Sequence, residues 1–292
     1  MKLVVQAASA LTALLIAAPG FGQVVVNSFQ TPVASGSEVP DAWYSNDVRT
    51  GGTATIVDLS GVGGNLENNQ PLPTGAARLT TDGTTAAKAE VTTYRDFGAA
   101  SSVLADISLG YSYFKSPTSE TAAAPSIKLL IAGPGSGDNY GALVYEPYWN
   151  LLPNGAGTPT QGDWINLSID QNTGSGNDNA GGWWWNGGFE IPSGAGGPPL
   201  RSLAEWATAF QSSDPIDFPN ARVIGLQMGI GTYNINQDDY FDNVSINTGS
   251  TSRTYNFEVR GATSVPDTGS TALLLGAGLL ALFGISRRRQ AS

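Results

Sequence analysis

An all-β fold, a jelly-roll-type β-sandwich with one short peripheral helix, is what this sequence predicts, and three observations predict it. About ten short segments of alternating apolar and polar residues run through the body of the chain, as half-buried strands require. Glycine (37) and proline (17) are scattered between those segments, where turns are needed. Only one stretch carries a 3.6-residue apolar period. Many short strands separated by turn chemistry are expected to pack as two sheets, face to face.

Taken in order, the chain begins MKLVVQAASALTALLIAAPGFGQ: one early charge at Lys2, an apolar run, then Gly20 and Gly22. That order predicts a secretory signal peptide over 1–22, cut near Gly22–Gln23. A β-sandwich domain over 23–264 follows. Its strand candidates start with TATIVDL, AARLTT and KAEVTT. SVLADISLGYSYF puts Val103, Ala105, Ile107, Leu109, Tyr111 and Tyr113 on one face, and SIKLLIA does so with Ile127, Leu129 and Ile131. YGALVYE and WINLSID come next, the latter aligning Ile165, Leu167 and Ile169. ARVIGLQMGI aligns Ile224, Leu226, Met228 and Ile230, and TYNFEV aligns Tyr255, Phe257 and Val259. The helix is RSLAEWATAF, with Leu203, Ala207 and Phe210 on one face and Ser202 and Glu205 spaced as a capping box. Two stretches, GVGGNLENNQPLPTG and Gln171 to Gly182, read as long loops.

The chain ends VPDTGSTALLLGAGLLALFGISRRRQAS. Residues 265–271 form a short motif, 272–286 an apolar helix, and Arg287, Arg288 and Arg289 a basic cluster. As a helix, Ala272 to Ile285 spans roughly 21 Å, short of a hydrocarbon core of ~30 Å, but Thr268 to Ser286 with snorkelling arginines reaches further. The arginines would stay cytoplasmic and the body outside. Motif, short helix and arginine cluster in this order resemble the PEP-CTERM class of sorting signals, and VPDTG resembles the VPDSG-CTERM subtype with Thr268 in place of serine. The resemblance implies recognition of Val265, Pro266, Asp267, Thr268 and Gly269 by an exosortase, a membrane-bound processing protease. It also implies transient anchoring through the helix and delivery to the cell surface or an extracellular matrix. An LPxTG-type sortase signal is the alternative, with Val265 where leucine stands.

Charge and composition narrow the function. Ten of the 14 Lys and Arg and 23 of the 24 Asp and Glu lie in residues 23–264, a net charge of −13. Such a surface repels phosphate backbones and anionic lipid, which argues against nucleic acid as a partner. There is no cysteine and no histidine, which excludes disulfides, thiolate chemistry and His-based triads.

Two stretches of the body carry candidate chemistry. In QDDYFDNVSI, if Val244 and Ile246 face the core, a period of two puts Asp242 inward as well, where a bare carboxylate needs a cation or several donors. This stretch resembles the closing strand of jelly-roll carbohydrate-binding modules, whose opening strand and Pro-x-x-Trp segment would correspond to NSFQ and Pro40 to Trp43. That resemblance implies a structural calcium at Asp242, with Asp239. Gln30 stands where the family has glutamate. A carboxylate bonded to backbone amides is the other reading. In GGWWWNGG, Trp183 and Trp185 would share one face while Trp184 points the other way. The pair offers a platform for a sugar ring, or else a core layer against Trp206. Tyr145, Tyr148 and Trp149 in YEPYWN, and Trp164, offer similar surfaces. For a glycosidase or lyase, Glu146, Glu190, Asp163 and Asp170 are the carboxylates nearest the aromatics. The expected function is non-catalytic binding of glycan or exopolysaccharide by an exported, surface-sorted domain. A purely structural or adhesive envelope or biofilm-matrix protein is the alternative.

Overall fold

The computed structural model describes residues 22–259, apart from 136, 152–156, 175–180, 195 and 213–216. The signal peptide and the C-terminal tail lie outside the described residues. Thirteen strands are described: β1 (Gly22–Val26), β2 (Trp43–Val48), β3 (Gly52–Asp58), β4 (Gly75–Thr81), β5 (Ala89–Ala99), β6 (Ser108–Lys115), β7 (Ser126–Ala132), β8 (Tyr140–Tyr145), β9 (Trp164–Asp170), β10 (Trp183–Trp185), β11 (Arg222–Ile230), β12 (Asp238–Asn247) and β13 (Ser252–Phe257). They form a seven-stranded and a six-stranded sheet, and the apolar residues between the two make one core. The body is a two-sheet β-sandwich.

In the six-stranded sheet the order is β10-β8-β7-β11-β5-β2, antiparallel throughout. The alternation read from SIKLLIA holds: Ile127, Leu129 and Ile131 are in the core. Lys128 and Leu130 therefore project from the opposite, outer face. In the seven-stranded sheet β12 is the central strand. One edge pairs with β6, and β6 pairs with β9. The other edge is shared end to end, by β4 opposite Asp238 to Phe241 and by β13 opposite Val244 to Asn247.

Three differences from the sequence expectations have local causes. Residues 100–105 form a short helix, α2 (Ala100–Ala105), so the expected strand starts only at Ser108 and Val103 reaches the core from the helix. A bulge between Val223 and Gly225 reverses the face of Ile224, which joins a small cluster with Leu130, Ala142 and Val144 outside the sheet. Part of the first long loop folds as α1 (Gly64–Asn68). The expected helix is α3 (Leu203–Gln211), and its capping box is formed, with Ser202 N–H donating to Glu205 Oε2 at 2.8 Å and Glu205 N–H to Ser202 Oγ at 3.2 Å. Among the described residues no helix is long and apolar enough to cross a membrane.

Candidate functional site

The strand registers place Trp184, Val144, Lys128, Gln227, Thr92 and Tyr44 side by side across the outer face of the six-stranded sheet, one from each strand. The next row contains Ser126, Gly229, Glu90 and Asp47. Gly229 is required there: a Cβ would lie 2.3 Å from Glu90 Cγ, so the missing side chain makes room for the glutamate. Above these rows opens a groove of about 680 Å³. Trp184, Trp149 and Tyr148 line it with Glu146, Asn186 and the 229–234 segment.

The groove floor is ionic. Glu90 is fully buried, and both its oxygens face ammonium groups, Lys128 Nζ at 2.5 Å and Lys88 Nζ at 2.9 Å. Lys88 also reaches Asp47 at 2.5 Å. Glu146, at the other end, accepts a hydrogen bond from Trp184 Nε1 at 3.2 Å. Burial pushes its carboxyl up to about 7, against the lowering effects of the Trp184 bond and of Lys128. Tyr148 and Trp149 stand on a 3₁₀ turn, Pro147–Asn150, with ring centroids 5.0 Å apart. The Trp149 indole is fixed by a 2.7 Å bond from Nε1 to the Gly196 carbonyl. Indole faces held by their N–H groups, beside amide, carboxyl and ammonium groups, suit a flat polyhydroxyl ring.

Trp183 and Trp185 are not part of this groove. They are 0% and 1% exposed, on the core face of β10. Trp183 accepts a bond on its carbonyl from Trp206 Nε1 at 2.8 Å, and Trp185 packs edge-on against Phe210 at 5.0 Å. A sugar ring can reach neither face, so the platform expected of this pair is corrected to a core layer sealed by α3. The alternation that pairs them sends Trp184 outward, and Trp184 is the residue of the run that meets the groove. Trp164 is buried against Phe114 on the other sheet, and Tyr145 is buried in the core against Trp183.

The four carboxylates named as a catalytic set are dispersed. Only Glu146 lines the groove. Asp163 accepts from Asn69 and the Trp164 amide, Asp170 from Asn172 and Thr173 in a turn, and Glu190 is exposed on a loop held by Asp138. Glu90 and Lys88, two residues apart, and Lys128 were missed because Lys128 is 38 positions away and only strand register brings it to Glu90.

Asp239 and Asp242 are both fully buried but in different surroundings. Asp239 Oδ1 accepts from the Ser116 amide at 3.0 Å and from Ser119 Oγ at 2.6 Å, and Lys115 is nearby. Donors and an ammonium do not make a calcium site, so Asp239 is withdrawn from that role. Asp242 sits where β4 and β13 diverge along the β12 edge. Its Oδ1 accepts from the Phe257 amide at 3.0 Å, as the amide-bonded reading expected. Its Oδ2 and Asn256 Oδ1 are buried oxygens without a hydrogen-bond partner. Burial raises the Asp242 carboxyl well above the usual range, and the charge of Glu258 adds to this. Among the described residues no group of three or more acidic, histidine or cysteine side chains gathers.

Residues 264–289 match the VPDSG-CTERM motif, so the chain carries a C-terminal sorting tail of that kind and is a secreted, surface-sorted protein. Among solved structures the body is similar to a family 11 carbohydrate-binding module from Clostridium thermocellum in complex with a beta-1,3-1,4-mixed-linked tetrasaccharide. The identity is 11% and the TM-score 0.35, covering 80% of this chain and 99% of that one. It is also similar to TmCBM61 in complex with beta-1,4-galactotriose, at 10% identity and a TM-score of 0.31, over 71% and 88% of the two chains. An exo-beta-agarase matches at 10% identity and 0.35, over 72% of this chain and 24% of that one. No match was found among curated proteins.

Proposed function

We propose that the body is a glycan-binding β-sandwich of jelly-roll type, delivered to the cell surface or matrix and holding polysaccharide in the groove on the outer face of its six-stranded sheet. The observation that carries this reading is the groove itself, with Trp184, Trp149 and Tyr148 set among polar groups. Binding without catalysis fits the dispersal of the acidic residues. Glu90, the second carboxylate of the groove, is fully buried beneath two lysines and cannot meet a sugar carbon. Processing at Val265 to Gly269 by an exosortase, with residues 272–286 and the arginines as a temporary anchor, belongs to the same proposal.

The test is retention of the purified protein on immobilised neutral polysaccharides. Trp184→Ala and Trp149→Ala are expected to lose at least tenfold in affinity while keeping the parent melting temperature. Trp183→Ala is expected to leave affinity intact in the folded fraction and to cost about 3–5 kcal/mol of stability. Unchanged retention in the first two variants would move the binding site out of the groove, and no retention of the parent on any polysaccharide would move the function to a purely structural or adhesive role.

A structural calcium remains part of the proposal at a revised ligand set. Asp242 Oδ2 and Asn256 Oδ1 are the unpartnered oxygens, and Glu258 is the adjacent carboxylate. A cation there would neutralise Asp242 and pin the junction of β4, β12 and β13. Calcium is expected to raise the melting temperature of the parent and not that of Asp242→Asn, measured after chelation and again after readdition.

A further inference from the structure

Tyr233 stands on the turn that follows β11, at the rim of the groove. Its side chain is 76% exposed, the most exposed large apolar group among the described residues. Its backbone is left-handed, at φ 66°, where glycine or asparagine is the usual residue and a bulky side chain is strained. The turn is tied down around it. The Tyr233 amide donates to the Thr85 carbonyl at 2.9 Å, and the Asn236 amide to the Asp82 carbonyl at 2.9 Å. Thr81 Oγ1 donates to the Asn234 carbonyl at 2.5 Å, and Asn234 Nδ2 to the Gly231 carbonyl at 3.2 Å. Burial does not offset the strain, because most of the ring faces water. A strained, firmly held and exposed aromatic beside a groove serves contact with a ligand better than it serves the fold.

We propose that Tyr233 is a stacking platform for polysaccharide, separate from Trp184, Trp149 and Tyr148, so that the groove grips an extended chain at two points. This role depends on the groove being the glycan site proposed for it, and it fixes a minimum ligand length. Trp184 belongs to β10 and Tyr233 to the turn leaving β11, three strands further across the sheet. Three strand spacings amount to about 14 Å. A single sugar ring cannot touch both aromatics, whereas a chain of several can. Such a chain would pass over β8 and β7, where Lys128 is already paired with Glu90. A turn held this firmly presents the ring in its binding position, so little conformational freedom is lost when the ligand arrives. Tyrosine where the backbone favours glycine or asparagine exchanges some stability for that contact.

The measurement is titration calorimetry of the full purified chain with neutral hexasaccharides of β-1,3- or β-1,4-linked glucose, mannose or galactose, and with the disaccharide of each series. The parent is expected to bind at least one hexasaccharide about tenfold more tightly than its disaccharide. Tyr233→Asn suits the left-handed backbone and removes the ring. It is expected to lose the hexasaccharide advantage, to leave the disaccharide affinity as it was, and to melt at or above the parent temperature. Tyr233→Phe keeps the ring and should bind as the parent does. A hexasaccharide advantage retained in Tyr233→Asn would overturn the role of Tyr233 and leave the groove as a glycan site. Equal affinities for hexasaccharide and disaccharide in the parent would overturn the two-point grip in the same way. A parent that binds none of these sugars would overturn the glycan site and the role of Tyr233 together. A lower melting temperature in Tyr233→Asn would make the ring part of the packing and its role structural.

Discussion

Glu146 stands between two tryptophans at one end of the groove, with Trp184 donating to its carboxylate and Trp149 close by. Its carboxyl titrates at about 7, raised from 4.5 chiefly by burial. A carboxyl whose folded pKa lies above its unfolded value binds its proton more tightly in the folded chain. Its contribution to stability is therefore complete below about pH 4.5 and is lost as pH rises through 7. The melting temperature is expected to fall between pH 5 and pH 8, and Glu146→Gln, which stays neutral, should make that part of the profile shallower, with buried Asp239 and Asp242 supplying the rest of the slope. A parent profile already flat across this interval would mean that Glu146 is ionised and solvated in the folded protein. This residue was legible in the sequence as an acid beside aromatics, but its protonation was not, because desolvation is a property of the packed groove.

At the scale of elements, one inserted residue in β12 decides what faces the core. The pairing with β6 runs from Asp242 opposite Ser112 to Ser245 opposite Gly110, so two residues of β12 face one of β6. Asn243 takes up the excess at φ 53°, a left-handed conformation that asparagine tolerates and β-branched residues do not. The inward period read from Val244 and Ile246 is correct for those two, which are buried in the main core. It does not extend back to Asp242, which lies across the bulge. Asp242 shares the side of its register partner Ser112, whose neighbours Tyr111 and Tyr113 hold the core positions. A period of two reads strand faces well within an uninterrupted run and fails at a bulge, which carries no strong sequence mark beyond an Asn. Asn243→Gly is expected to be near neutral in chemical denaturation. Asn243→Val should cost about 1–2 kcal/mol, and equal stability of the two would remove the bulge from the account.

For the whole molecule the decisive quantities are charge and layering. The sandwich class was legible because strand alternation survives in most segments, and the helix because its cap and apolar face coincide. The groove was legible only in part. Trp149 and Tyr148 could be named from their aromatic run, whereas Lys128 meets Glu90 and Lys88 only when β5, β7 and β11 pair. That pairing also fixes what the groove should accept. Its two lysines are already matched by Glu90 and Asp47, leaving no surplus positive charge on the floor, while the body around it carries a net −13. A polyanionic chain would meet a repulsive field with no compensating ammonium at the end of its approach. Neutral polysaccharide is therefore expected to bind with little dependence on salt between 0.05 and 0.5 M, a range over which screening lengths fall from about 14 to 4 Å. Uronate-rich polysaccharide should be retained weakly at the low end and gain slightly as salt rises. Strong retention of the acidic polymer that salt abolishes would show that Lys88 or Lys128 leaves its carboxylate partner to meet the ligand, and the groove would then be an anion-recognising surface.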